Sequence, residues 1–145
     1  MQLAQINIAR MLAPLESEAM KEFRDFLAPV NLLAESSPGF VWRYRDENAF
    51  RFEMPWEDDM VIVNMSVWKD VESLKNFTYQ TVHSYFLKSR KKWFHQLDHP
   101  HTVMWWVNDG YIPSLIEAKA KLDLLEKKGP TEDAFLFPQA ELFQP

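Results

Sequence analysis

The chain has 145 residues, no cysteine, 47% hydrophobic and 14% aromatic side chains, and a formal net charge of −5. These totals exclude disulfides, thiolate chemistry, iron–sulfur clusters and cysteine-ligated zinc, and leave no overall basic footprint for nucleic acid. No apolar run approaches the roughly 20 residues that cross a bilayer, and residues 1–145 are long enough to fold as one domain without staples.

Met1 to Arg10 lacks the basic-then-apolar pattern of a secretory signal. With the absence of cysteine, this leads to a cytoplasmic expectation. Gln2 to Arg10 alternates, with Ala4, Ile6 and Ile8 on one side and Leu3, Gln5, Asn7 and Ala9 on the other. That is a strand with an apolar and a mixed face. After the break at Ala13-Pro14, Glu16 to Ser36 reads as a helix whose stripe is Met20, Phe23, Leu27, Val30 and Ala34. Pro29 either kinks this helix or opens a second short one.

Ser37-Pro38-Gly39 turns the chain into a second strand. Simple alternation there puts Phe40, Trp42 and Tyr44 on one face, and Val41, Arg43 and Arg45 on the other. Asp46 to Asp59 reads as a polar hairpin connection with a frayed strand around Phe50 to Phe52. Met60 to Trp68 is the strongest strand, with Val61, Val63, Met65 and Val67 opposed to Ile62, Asn64, Ser66 and Trp68. Asp70 is a good N-cap for a helix from Val71 to about Phe77 that resumes from Tyr79 to Trp93. Thr102 to Val107 is a fourth strand. Pro113 to Lys128 is a further helix, with Leu115, Ala118, Leu122 and Leu125 as its stripe and Gly129-Pro130 as its stop. The tail, 131–145, is expected to pack as an extended arm or edge strand.

The order is α+β: a ferredoxin-like βαββαβ unit with an extra C-terminal helix and tail. In that arrangement the main helices cover one face of the sheet. The cleanly apolar sets are expected beneath them, leaving Gln5, Asn7, Asn64, Ser66 and Trp68 on the open face. A Trp among polar groups argues against simple solvation of that face and for homodimerisation or a ligand cavity. Asn64, Ser66, Trp68, Trp42 and Trp106 are the candidate ligand-binding residues. Trp105 and Trp106 are adjacent, so only one of them can face the cavity.

Tyr79, His83 and Arg90 form a polar line on one helix face and are the candidate catalytic residues. His83 can act as a general base, ligate haem iron, or orient a polar substrate whose carboxylate pairs with Arg90. It can equally be a half-buried structural histidine bonded to backbone. Lys88, Arg90, Lys91 and Lys92 fit a solvated helix end better than a phosphate site. His95, His99 and His101 flank Pro100 in a surface loop, Glu57 to Asp59 form a solvated turn, and no metal site is expected. With three glycines in all, there is no phosphate-cradling loop.

Ser37-Pro38-Gly39-Phe40-Val41-Trp42-Arg43, Val63-Asn64-Met65-Ser66-Val67-Trp68, Trp105-Trp106-Val107 and Ile112-Pro113 together resemble a bacterial family, domain of unknown function 3291. The opening Leu3 to Arg10 and the closing Gly129-Pro130 resemble it too. The resemblance implies a homodimer of ferredoxin-like subunits, the dimeric α/β barrel of antibiotic-biosynthesis-type monooxygenases and haem enzymes. It does not transfer an activity. The expected function is a monooxygenase-like enzyme acting on a hydrophobic small molecule. The alternatives are a non-catalytic homodimer that binds such a ligand, or a haem-binding member using His83. The cofactor is unknown; haem fits, and nothing in the sequence requires it.

Overall fold

The computed structural model describes residues 1–45, 54–80 and 88–145. The strand expected around Phe50 to Phe52 and the middle of the long second helix, His83 included, lie outside the described residues. Four strands form one antiparallel sheet: β1 (Gln2–Arg10), β2 (Phe40–Arg43), β3 (Val61–Trp68) and β4 (Thr102–Val107), in the order β2-β3-β1-β4. The helices are α1 (Lys21–Ser36), α2 (Val71–Thr78), α3 (Arg90–Trp93), α4 (Leu115–Lys128) and the short α5 (Phe137–Ala140). This is the ferredoxin-like α+β arrangement that the element order predicts.

Pro29 sits inside α1 without ending it. Its ring is exposed, so the carbonyl one turn earlier that loses its N–H donor faces water and not the core. Asp70 caps α2 by accepting from the Ser73 N–H at 2.8 Å. The side-chain and backbone hydrogen bonds of Ser73 hold the Asp70 carboxyl below its usual range. A lowered folded pKa stabilises above the unfolded value, and that stability is lost as pH falls from about 4 through the folded pKa. Asp70→Ala is expected to cost about 1 kcal/mol in urea unfolding at pH 7. Asp70→Asn keeps a cap but should flatten the wild type's loss of stability below pH 4, and equal slopes for the two would refute the assignment.

The distribution of the faces corrects the sequence reading. Ala4, Ile6, Ile8, Met65, Val67, Val103, Trp105 and Val107 form a buried cluster with Leu115, Ala118, Leu122 and Leu125 of α4. The cleanly apolar face is therefore covered by the C-terminal helix, which lies along β4. α1 and α2 cover the mixed face. Ala34, Val71 and Leu74 pack there on Leu3, Trp68 and Met104, and Phe23 packs with Met11, Met20, Trp93 and Phe94 beyond the other end of that face. The physical reason is that the polar groups of this face satisfy one another, so helices can lie over them.

A second correction concerns β2. Phe40 opposes Trp68, but the register then shifts, so that Trp42 opposes Val67 and Arg43 opposes Ser66. Val41 is the extra residue of this bulge and is 40% exposed. A bulge moves later residues to the other face. Phe40 therefore joins Trp68 beneath the helices, whereas Trp42 and Tyr44 join the α4 side. The tail adds one bridge to the outer edge of β4, where Phe135 and Met104 exchange backbone hydrogen bonds of 3.0 and 2.8 Å. This blunts an edge strand that would otherwise be unpaired.

Candidate functional site

Leu3, Gln5 and Asn7 point to the helix-covered face of β1. Register places Trp68, Ser66 and Asn64 beside them on β3, and Trp106, Met104 and Thr102 on β4. Two apolar clusters close the ends of this face, and between them lies a polar floor. Gln5 is 7% exposed, so its amide needs partners. Its Nε2 donates to Ser66 Oγ at 2.8 Å and Asn64 Oδ1 at 2.9 Å, with a longer contact of 3.4 Å to the Asn64 carbonyl. Trp68 Nε1 also donates to Ser66 Oγ, at 2.8 Å.

Asn64 lies within β3, yet it is exposed, and its neighbour Asn7 is only half-buried. The helices thus leave a solvent-reachable opening over the middle of the sheet. From Asn7 the polar line continues to its cross-strand partner Thr102, whose Oγ1 is hydrogen-bonded to His101 Nδ1 at 3.1 Å. Burial, with the charge of Arg90 and then of His99, lowers the His101 pKa, so its imidazole is neutral at pH 7. Arg90 is half-buried, with Cζ 6.0 Å from the Phe94 ring centroid. Burial lowers its pKa too, but a guanidinium remains cationic. No carboxylate pairs with Arg90 among the described residues. On the β2 side, Arg43 Nε binds Glu35 Oε1 at 2.7 Å, and Arg45 reaches the same oxygen at 3.2 Å. The Arg43 hydrogen bond leads in holding the Glu35 carboxyl below its usual range.

Of the ligand-binding candidates, Asn64, Ser66 and Trp68 are brought together through Gln5. Trp106 shares their face but lies on the far side of Leu3, where its ring packs 6.2 Å from Phe135. Trp42 is on the opposite face, so the common pocket expected for the tryptophans does not form; the Val41 bulge is the cause. Trp105 also faces away and donates to Glu117 Oε2 at 2.8 Å. Among the catalytic candidates, Tyr79 is 63% exposed and meets Phe137 of the tail at 6.4 Å. Arg90 is half-buried as described, and His83 lies outside the described residues. A haem site would rest on His83, so no step is derived through haem. Among the described residues no three His, Cys, Asp or Glu side chains gather where they could hold a metal ion. Gln5 and Asn7 were placed on this face from sequence but not among the ligand-binding candidates, and Thr102 was not singled out. A polar residue recurring every second position on two adjacent apolar strands was the available signal.

A four-stranded antiparallel sheet of ferredoxin-like order, with helices over a polar floor, defines a small α+β protein. The chain belongs to the family called domain of unknown function (DUF3291), whose model matches residues 2–144. Comparison with the curated proteins finds no match. Among solved structures it is similar to SnoaB, a cofactor-independent oxygenase from Streptomyces nogalater. The identity is 14%, the match covers 74% of this chain and 94% of that one, and the TM-score is 0.50. It is also similar to PA3566 from Pseudomonas aeruginosa, at 15% identity, with 71% and 88% covered and a TM-score of 0.47. At these identities the likeness is one of fold.

Proposed function

We propose that the protein is a small-molecule oxygenase of the monooxygenase-like kind, acting on a hydrophobic, hydroxylated or keto-bearing aromatic substrate. The observation that carries this reading is Asn64: an exposed amide on the helix-covered face of β3, backed by the Gln5–Ser66–Trp68 network. Such openings, mostly apolar with a few convergent polar groups, are the usual form of a ligand site. The fold shared with a cofactor-independent oxygenase supports the reaction class.

In the proposed reaction an activated CH2 of the substrate and dioxygen give a carbonyl and water. The carbon loses four electrons and dioxygen takes up four. One oxygen atom stays on carbon, and the other leaves as water with the two hydrogens. The protein's part is to favour loss of the CH2 proton and hold the resulting anion. Asn64 donates to its oxygen, Arg90 supplies positive charge, and His83 is the proposed base.

The proposed assembly is a homodimer in the cytoplasm. Trp42, Tyr44, Val61 and Val63 remain only partly buried beside the area under α4, and this part of the apolar face is the surface we assign to the partner copy. The test is dioxygen uptake with a hydroxylated anthrone, on protein whose mass is read by light scattering at twice 17.2 kDa. Arg90→Gln is expected to lower kcat/KM by at least about tenfold, the scale of losing one charge-assisted hydrogen bond. Arg90→Lys should retain part of the rate. Uptake no faster than in buffer, or equal rates for wild type and Arg90→Gln, would sink the reading, and a monomer would sink the assembly.

A further inference from the structure

We infer that Gln5 is a positioning residue that sets the polarity of the opening. It turns Asn64 so that Nδ2 is the free end facing solvent, while Ser66, 6% exposed, stays behind the floor. The site then presents hydrogen-bond donors, and the ligand group it takes is an oxygen acceptor: a carbonyl, enolate or phenolate oxygen. The inference rests on the opening being the ligand site, as proposed above, and adds which end of a ligand it holds.

Trp68 Nε1 can only donate, so one lone pair of Ser66 Oγ is taken. The Gln5 amide end beside Ser66 also lies beside the Asn64 carbonyl oxygen, which can only accept. An oxygen in that position would face another oxygen, so this end is Nε2, and it donates to Ser66 Oγ and to Asn64 Oδ1. Both lone pairs of the serine are then used, and its proton has no acceptor within the network. The oxygen of Asn64 is likewise taken. Its Nδ2 makes no hydrogen bond among the described residues, although Asn64 is exposed. No flipping of Asn64 is tolerated while Gln5 stays, because two donors would then meet. Gln5 itself lies behind the floor, 7% exposed, and acts through Asn64 and Ser66.

The orientation can be read without any ligand, from proton exchange of the side-chain amides in protein labelled with 15N at Asn and Gln. Gln5→Met and Asn64→Asp identify the two signals. The Gln5 amide protons are expected to exchange with water at least about tenfold more slowly than those of Asn64, because only the former are buried donors. Protection of the Asn64 amide in the wild type would overturn the inference. In Gln5→Glu, at a pH where the buried carboxyl has been titrated to its ionised form, it can only accept, so Asn64 Nδ2 turns inward and its protons become protected; unchanged exchange at that pH also overturns it.

The ligand arm uses 4-nitrophenol and its methyl ether, 4-nitroanisole. The wild type should favour the phenolate by at least about tenfold, the scale of a hydrogen bond to a charged group. Gln5→Glu should lose that preference, and Gln5→Met should keep part of it. Failure of the phenolate to bind the wild type would overturn the ligand site and the donor role with it. Equal phenolate preference in wild type and Gln5→Glu would overturn the role of Gln5 alone.

Discussion

Trp68→Ala is expected to lower the free energy of unfolding by about 3–5 kcal/mol, the usual cost of emptying a large aromatic site. Trp68 is 0% exposed and stands where three elements meet. Its ring is edge-on to Phe40 of β2 at 5.5 Å and stacked on Phe77 of α2 at 5.1 Å, and Leu3 of β1 is its cross-strand neighbour. Collapse around the void is limited because these neighbours belong to different elements, each held by its own backbone bonds. Trp68→Phe keeps most of the apolar area and removes the donor to Ser66, so its cost should be nearer 1 kcal/mol. Urea midpoints with unchanged m-values measure both. A cost below about 1 kcal/mol for Trp68→Ala would mean that α2 does not close over this part of the sheet.

Gly39→Ala is expected to be nearly as damaging, at roughly 3 kcal/mol, from a left-handed backbone and a steric clash together. Gly39 has φ +84°, and a Cβ built on it would overlap Oγ and Cβ of Ser73. Neither side can easily retreat. The Gly39 carbonyl accepts from Lys69 N at 2.7 Å, and Ser73 is held in the first turn of α2 by the Asp70 cap. Gly129 provides the comparison without a clash: its φ is +73° with ψ −172° and an added Cβ meets nothing, so Gly129→Ala should cost about 1–3 kcal/mol from the backbone alone. In a double-mutant cycle, Ser73→Gly should return the steric part of the Gly39→Ala loss and leave the backbone part. Strict additivity of the two substitutions in urea unfolding would rule out the contact. Ser37-Pro38-Gly39 thus does more than end α1: it lets β2 enter directly against the start of α2.

The strands and their pairing into faces were legible because period two survives any packing. Ile6, Ile8, Val63 and Val67 read as one apolar side, and they are one. Helix positions followed from caps and stops such as Asp70 and Gly129, whose chemistry is local. The family resemblance also rested on residues that can be quoted from the chain. What covers each face was not legible. Periodicity states which residues share a side, not which helix lies on it, and the sequence reading reversed the two. The bulge at Val41 was invisible for a related reason. Nothing in Phe40-Val41-Trp42 marks one residue as extra, and only pairing with β3 reveals it.

The candidate site shows the same division. Asn64, Ser66 and Trp68 were legible as a group because they alternate on one strand. Trp42 was misplaced by the bulge, and Gln5 was placed on the right face but not among the site residues, because its partners are about sixty positions away. Composition, alternation and capping signals therefore determined the strands, the main helices, their order and the faces of β1, β3 and β4, since all of these are set within a few residues. The tertiary structure alone decided that α4 takes the apolar face, that α1 and α2 lie over the polar one, and that Gln5 bonds to Asn64 and Ser66. Those outcomes depend on long-range pairing and on which buried polar groups can satisfy one another, and neither is written in local sequence.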